Sequence, residues 1–464
     1  MIAASTWFVS IVAVVTIACS ASPAPADGGT DGGLPDAIAS DASGDASGDA
    51  TEGGLGTGLW VDPIKGSDGS PGTNLFPFKT IKKAFTVAQK GDVVNLVAGT
   101  YGSSNGDDFS TPIPDGVALV GTTPNGTYAV TLEAPNTSDT LTFAGSGAVS
   151  SVWLKGFGVS FTATTGTQAL DTVAWSGGGP SVSGSAQMTI NGVTGINSAT
   201  IGTVSNTAKL VMNDATFGDV TGIPTCSDNA TFSATNLTMA SASNAFFFTG
   251  SCTASISKAK IGSSAGFLTG NGAPNVTLDS IDISSDTPAV NAAGGTITIT
   301  NGTYSNTLSG SAITSSNATV TISGATIENS PKYGIEFDTG SVTATGITIT
   351  NCSFGGIYTS AALKLRSSTI QNTPGRGVQG YGLAVLDLGT TTDHGNNKLL
   401  SNSVTDVDIT LLNNQTVNAS GNTWNASTQG ADAAGHFAAG ATSGFNATGA
   451  NFITSSSAQL SLGP

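Results

Sequence analysis

Between Ile297 and Tyr381 apolar and polar residues alternate in short runs, and the runs recur. ITITNGTYSN from Ile297, VTISGATIEN from Val320, VTATGITITN from Val342 and LKLRSSTIQN from Leu363 begin 23, 22 and 21 residues apart. Each run closes on an asparagine: Asn306, Asn329, Asn351 and Asn372. A second apolar column follows at Ile313, Ile335, Ile357 and Val378. Self-similarity at this period marks a solenoid. Alternation with period two, as in Val320 and Ile322 against Thr321 and Ser323, predicts strands, and the β-branched residues suit a pleated, half-buried surface. A unit of about 22 residues holds about three short strands and their corners. Successive coils then stack as parallel strands roughly 4.8 Å apart. The asparagines are expected to stack at a corner, where Asn tolerates left-handed backbone and bonds along the stack. The pattern therefore predicts an all-β, right-handed, single-stranded parallel β-helix, with the hand taken from the crossover rule. A β-sandwich does not explain identical spacing in two columns.

The strand pattern extends backward to Val276 and Ala254, and in weaker form to Ala230, Leu210 and Met188. From Val152 to Met188 the gap is 36 residues, which predicts an inserted loop around TQALDTVAWSGGGPSVSG. Near the start of the ordered chain, Ile81, Ala84, Phe85 and Ala88 fall on one helix face. Gly91 stands where that helix should stop, and Val93, Val94 and Leu96 open a strand. An amphipathic helix here would cover the solenoid's open end, whose exposed edge would otherwise pair with other chains. The expected organisation is a capped β-helix over 59–430 and a terminal coil or C-terminal cap over 431–464.

Composition narrows the possible partners. Only 9% of residues are charged, 62 are glycine, and the formal net charge is −16. No basic patch fit to neutralise phosphates is visible, which argues against nucleic acid and against electrostatic attachment to anionic lipid. Residues 1–19 read as a signal peptide, with an apolar run from Trp7 to Ala18 and no Lys or Arg before it. TIAC at Thr16–Cys19 resembles a bacterial lipoprotein signal, which implies lipidation of Cys19 and membrane attachment through that anchor alone. Residues 20–58 are Ala, Ser, Pro, Gly and Asp, with seven acids from Asp27 to Glu52 and no base. Such a stretch is expected to be a solvated, self-repelling tether. Its acids recur without the alternating ligands of a calcium loop. Cys226 and Cys252 lie 26 residues apart, about one coil, so their side chains could meet on adjacent turns as a disulfide or as two buried thiols.

Beyond these periodicities, WVDP, GSDGSPGT and PFKTIKKA between Trp60 and Ala84, then GTY at Gly99, resemble the opening of an uncharacterised family of secreted bacterial parallel β-helix domains within the pectate-lyase-like group. IPDGVALVG at Ile113 and the late DLGTTTDHGNN and GNTWN segments fit the same family. The resemblance implies the fold and its N-terminal cap, and no established activity. Pectin-cleaving members of the wider group need a uronate-neutralising centre with a basic residue, or two suitably spaced carboxyls. Here there are two arginines, Arg366 and Arg376, and only fragments of a hydrolase set, at Gly106-Asp107-Asp108 and Asp393-His394-Gly395. Two histidines 42 residues apart leave no metal-ligand spacing, and no cofactor is implied.

The repeat itself supplies the candidate surface. With Ile335, Phe337, Ile357 and Val378 inward, alternation turns Glu336, Asp338, Tyr358, Gln379 and Tyr381 outward. Stacking sets Glu336 beside Tyr358 and Gln379, and Asp338 in line with Ser360 and Tyr381. Aromatic side chains flanked by acids and amides suit a sugar chain. The carboxyls of Glu336 and Asp338 are expected roughly 7 Å apart, within the spacing of an inverting glycosidase. Outward Lys364 and Arg366 suggest a small basic spot on another face. Together these features point to a non-catalytic cell-surface or secreted β-helix presenting a binding face to polysaccharide or protein. A polysaccharide-degrading lyase or hydrolase of the same fold is the alternative.

Overall fold

The computed structural model describes residues 58–122, 128–195, 199–222, 224–242, 246–262, 266–306, 308–402, 405–412, 416–424, 452–454 and 459–461. The expected signal peptide, Cys19 and all of the tether but Gly58 lie outside these residues. Among the described residues the chain winds into about 13 coils of ~22 residues, with one short helix. Each regular coil contributes three strands, which stack into three columns. In the first column Gly295–Thr300, Ala318–Ser323, Gly340–Thr345 and Ala362–Arg366 pair in parallel. The second holds Thr303–Asn306, Thr326–Glu328, Thr348–Thr350 and Thr369–Gln371. The third holds Ile313–Ser315, Tyr333–Phe337, Gly355–Thr359 and Arg376–Gly382.

Corners form where the backbone turns left-handed. Asn329, Asn351 and Asn372 carry φ of 56°, 55° and 54°, a conformation that Asn tolerates better than most residues. Asn351 Nδ2 donates to Asn329 Oδ1 at 3.4 Å, along the stack. Asn306, expected in the same ladder, departs from it. It is buried, its Oδ1 accepts from the amides of Leu308 and Ser309, and its Nδ2 donates to the carbonyls of Ser309 and Ser311. The coil opening at Ile297 is one residue longer than the next, and Asn306 closes that wider corner from inside.

Inward columns of Val, Ile, Leu and Phe form one continuous core from Val61 to Ala419. No loop is inserted between Val152 and Met188. Thr167–Asp171 is a first-column strand in register with Gly147–Ser150 before it and Gln187–Asn191 after it. The polar residue Gln168 occupies an inward position with no exposed surface, held by Nε2 bonds to the carbonyls of Gly145 and Thr165. That single substitution of Gln for an apolar residue hid the strand. The weaker start expected near Ala230 falls at Phe232, which stands in line with Leu210 and Ala254.

At the N-terminal end, helix α1 (Ile81–Val87) buries Ile81, Ala84 and Phe85. Thr80 caps it by accepting from Lys83 N at 3.0 Å. The helix stops at Ala88, whose ψ of 139° is extended, before Gly91 is reached. Phe78 bridges Val61 on the open edge of the first strand, Gly58–Val61, which pairs on its other side with Val93–Leu96. Cys226 and Cys252 are joined, with Cα atoms 5.8 Å apart. Cys352 is buried and free, and burial pushes its thiol up to about 11.

Candidate functional site

Three tyrosines on consecutive coils line the third column. Tyr333 and Tyr358 stack with centroids 5.1 Å apart and planes 26° apart. Tyr358 and Tyr381 follow at 6.4 Å and 31°. Phe354 meets Tyr333 edge-on, and Lys332 Nζ lies 5.8 Å from the Tyr333 centroid. Strand register sets Glu336 beside Tyr358 and Tyr358 beside Gln379, as the alternation requires. Gln379 is nearly buried, and its Oε1 accepts from the Tyr333 hydroxyl at 3.1 Å. Ser360 Oγ donates to the backbone carbonyl of Asp338 at 2.8 Å, and Asp338 is exposed.

Glu336 is committed to local contacts. Lys332 donates to one carboxylate oxygen and Ser311 Oγ to the other at 2.6 Å. A carboxylate held this way braces the column and is ill suited to deliver a proton to a leaving group. Partial burial, followed by the negative charge of Asp338, raises the Tyr358 hydroxyl above its ordinary value. Tyr358 lies between two other rings, so it offers its edge and hydroxyl to solvent more than its face. Tyr381 is 48% exposed, and Leu383 and Val385, which follow it in the chain, are exposed as well.

The catalytic fragments in the sequence have other occupations. Asp107 is buried at the N-terminus of α1, where its Oδ1 accepts from Lys82 N at 3.0 Å and its Oδ2 from Asn105 Nδ2 at 3.0 Å. Burial raises its pKa. Asp108 pairs with Lys82 at 2.8 Å. Asp393 pairs with Lys364 and with Arg366, both at 2.9 Å, and Arg366 Nη2 also donates to both oxygens of Asp387 at 2.8 Å. Lys364 and Arg366 are therefore neutralised by two acids, and Arg366 is buried; they do not form the expected basic spot. Among the described residues no group of three or more His, Cys, Asp or Glu could hold a metal ion.

A groove of about 600 Å³ runs along the second column. Lys260, Asp282 and Thr303 lie in register on three coils of its floor, and Ser284, Ser305 and Glu328 also line it. Sequence reading missed this groove, because the concavity comes from how strand and corner meet across several coils. It also missed Tyr333, which simple alternation with Ile335 would turn inward. The strand breaks that alternation at Gly334. A Cβ there would come within 2.6 Å of Ile349 Cγ2, so position 334 faces the core and Tyr333 is left outside. The stacked glycines Gly334, Gly356 and Gly377 were the available signal.

The fold and these features together define a right-handed parallel β-helix protein. Residues 64–258 match the family described as Protein of unknown function (DUF1565), and residues 267–433 match Right handed beta helix region. The chain thus joins a DUF1565 segment to a right-handed β-helix region. It is similar in structure to tailspike protein 3 of bacteriophage CBA120, at 12% identity and a TM-score of 0.42, over 80% of this chain and 60% of the tailspike. It is also similar to the A-module of the mannuronan C-5 epimerase AlgE4 of Azotobacter vinelandii, at 13% identity and a TM-score of 0.29, over 86% of this chain and 100% of the module. A rhamnogalacturonan lyase matches at 12% identity and a TM-score of 0.18, over 67% of this chain and 82% of the lyase. No curated protein sequence matches the chain.

Proposed function

We propose that this protein is a non-catalytic cell-surface or secreted β-helix that binds an extracellular polysaccharide along its third column. The observation that carries the reading is the ladder of Tyr333, Tyr358 and Tyr381, ending in the half-exposed Tyr381. A tyrosine with an apolar body and a wet hydroxyl suits a surface that meets both the C–H and O–H groups of a sugar. Asp338, Ser360 and the Tyr358 hydroxyl supply the polar rim. The proposed location is the bacterial surface, through lipidation of Cys19 and the acidic tether that follows it. The joined Cys226 and Cys252 agree with an oxidising compartment. On a glycan array, the wild type should bind and a Tyr358→Ala/Tyr381→Ala variant should lose binding; no binding by either protein retires the proposal. Metabolic lipid labelling should disappear in Cys19→Ser, and undiminished labelling would refute the anchor.

A second reading, a polysaccharide lyase or hydrolase, draws on the groove. Lys260 there stands one coil from Asp282, a base and an acid on one concave surface. Reducing-sugar and unsaturated-uronate assays over a polysaccharide panel separate the two readings. Turnover abolished by Lys260→Met or by Glu336→Gln would replace binding with catalysis.

A further inference from the structure

The outward side of the first column is a grid of hydroxyls. Six successive strands read TFSAT from Thr231, TASIS from Thr253, NVTLD from Asn275, TITIT from Thr296, TVTIS from Thr319 and SVTAT from Ser341. The second and fourth residue of every strand is apolar and buried. The first, third and fifth point outward, and none of them is buried. Of these 18 outward positions, 16 are Ser or Thr; the others are Asn275 and Asp279. The pairing runs through all six strands without a register shift. Within the grid the only hydroxyl-to-hydroxyl bond among the described residues is Ser257 to Thr235, at 3.3 Å.

Three properties restrict what such a plane can meet. It holds one carboxylate and no cation, in a chain of net charge −16, so it does not select a charged partner. It holds no aromatic ring, so it lacks the platform on which sugar faces stack; the tyrosines belong to the third column. It is periodic in two directions, about 4.8 Å from coil to coil and about 6.7 Å between alternate residues of a strand. The partner that shares these properties is an uncharged, ordered solid that donates and accepts hydrogen bonds at fixed intervals. Hydrogen-bonded oxygens about 2.75 Å apart in a tetrahedral lattice have second neighbours about 4.5 Å apart and a repeat of about 7.3 Å across the layers. The grid matches both intervals to within about a tenth.

We propose that this face binds crystalline water, adsorbing the protein to ice. The inference is independent of the polysaccharide reading, which rests on another column. The test grows polycrystalline ice from a dilute solution of the folded protein and compares protein in the ice with protein left in the liquid. The wild type should enter the ice and slow recrystallisation. Thr298→Lys/Thr321→Lys, which raises two long charged side chains from the centre of the grid, should be left in the liquid with its circular dichroism and melting temperature unchanged. Tyr381→Ala, on the other column, should enter ice like the wild type. If the lysine variant proves less stable, Thr298→Gln/Thr321→Gln repeats the test with neutral side chains. Exclusion of the wild type from ice overturns the proposal, and so does equal uptake of wild type and both grid variants. Retention of the wild type on insoluble cellulose or chitin, lost in the grid variants and without uptake into ice, also overturns it and reassigns the face to a polysaccharide surface.

Discussion

Individual side chains in this protein act mainly by how they fill or fail to fill the coil. Tyr304 is wholly buried, and among the described residues its hydroxyl has no hydrogen-bond partner. Removing an unsatisfied buried hydroxyl is neutral or favourable, so Tyr304→Phe should hold or raise stability by about 1 kcal/mol in urea denaturation. Gly356 shows the opposite constraint. A Cβ there would lie 2.4 Å from Ile370 Cγ2 and 2.7 Å from the Gly377 carbonyl. Gly356→Ala should therefore cost about 1–3 kcal/mol, the range for overpacking, and an unchanged denaturation midpoint would show that the coil yields. Asp393 sets a pH response. Its bonds to Arg366 and Lys364 lower it from the ordinary 3.8 to about 2. In that interval the unfolded chain binds the proton and the folded chain does not, so stability is present above 3.8 and is lost as pH falls toward 2. Asp393→Asn should flatten this part of the stability-versus-pH curve, and equal slopes for the two proteins would exclude the cluster as its source. The outward identity of Glu336 and Tyr358 was legible from alternation; Gln379, expected outward as well, is buried, and its Oε1 accepts from the Tyr333 hydroxyl. The pairing of Glu336 with Lys332 and Ser311 was not, because those partners come from a turn and from the preceding coil.

At the scale of the element, strand and corner are encoded separately. Alternation writes the strands, and Gly, Asn and Asp write most of the left-handed turns, with Ser at several others. The failures came where one mark was replaced. Gln168 stood in for an apolar residue, and Asn306 marked an inward corner in place of an outward one. The Cys226–Cys252 link joins the third-column strand Thr225–Cys226 to the corner one coil further on, which precedes Thr253–Ile261. Closing a loop of this size is worth about 3.5 kcal/mol in the chain-entropy account. A Cys226→Ser/Cys252→Ser variant should lose about that much. Thiol titration of the denatured wild type should gain two thiols on reduction; equal counts with and without reductant would show that the bond does not form.

For the whole molecule, each coil rests on its neighbours, so an uncovered end is both the weakest and the most associative part. Helix α1 and Phe78 cover that end. Phe85→Asp should loosen the cap, lower the melting temperature and produce larger species by light scattering at raised protein concentration. A monodisperse variant that melts like the wild type would mean that the cap contributes little. Asp107 belongs to the same end. It reads as a catalytic fragment in the sequence, yet its carboxylate accepts the backbone N–H of Lys82 at the start of α1.

The sequence by itself determined the fold class, the coil length, the capping helix and the alternation that separates inward from outward positions in most regular strands. These follow from local period, since a strand turns its side chains by two and a coil repeats when its core does. Only the tertiary structure decided what the outward residues meet. It stacked Tyr333 onto Tyr358, tied Glu336 and Arg366 into ion pairs, gave Asp107 to the helix and opened a groove beside Lys260. Those outcomes depend on register between coils about 22 residues apart and on corners that break the period. A pattern read along one strand contains neither.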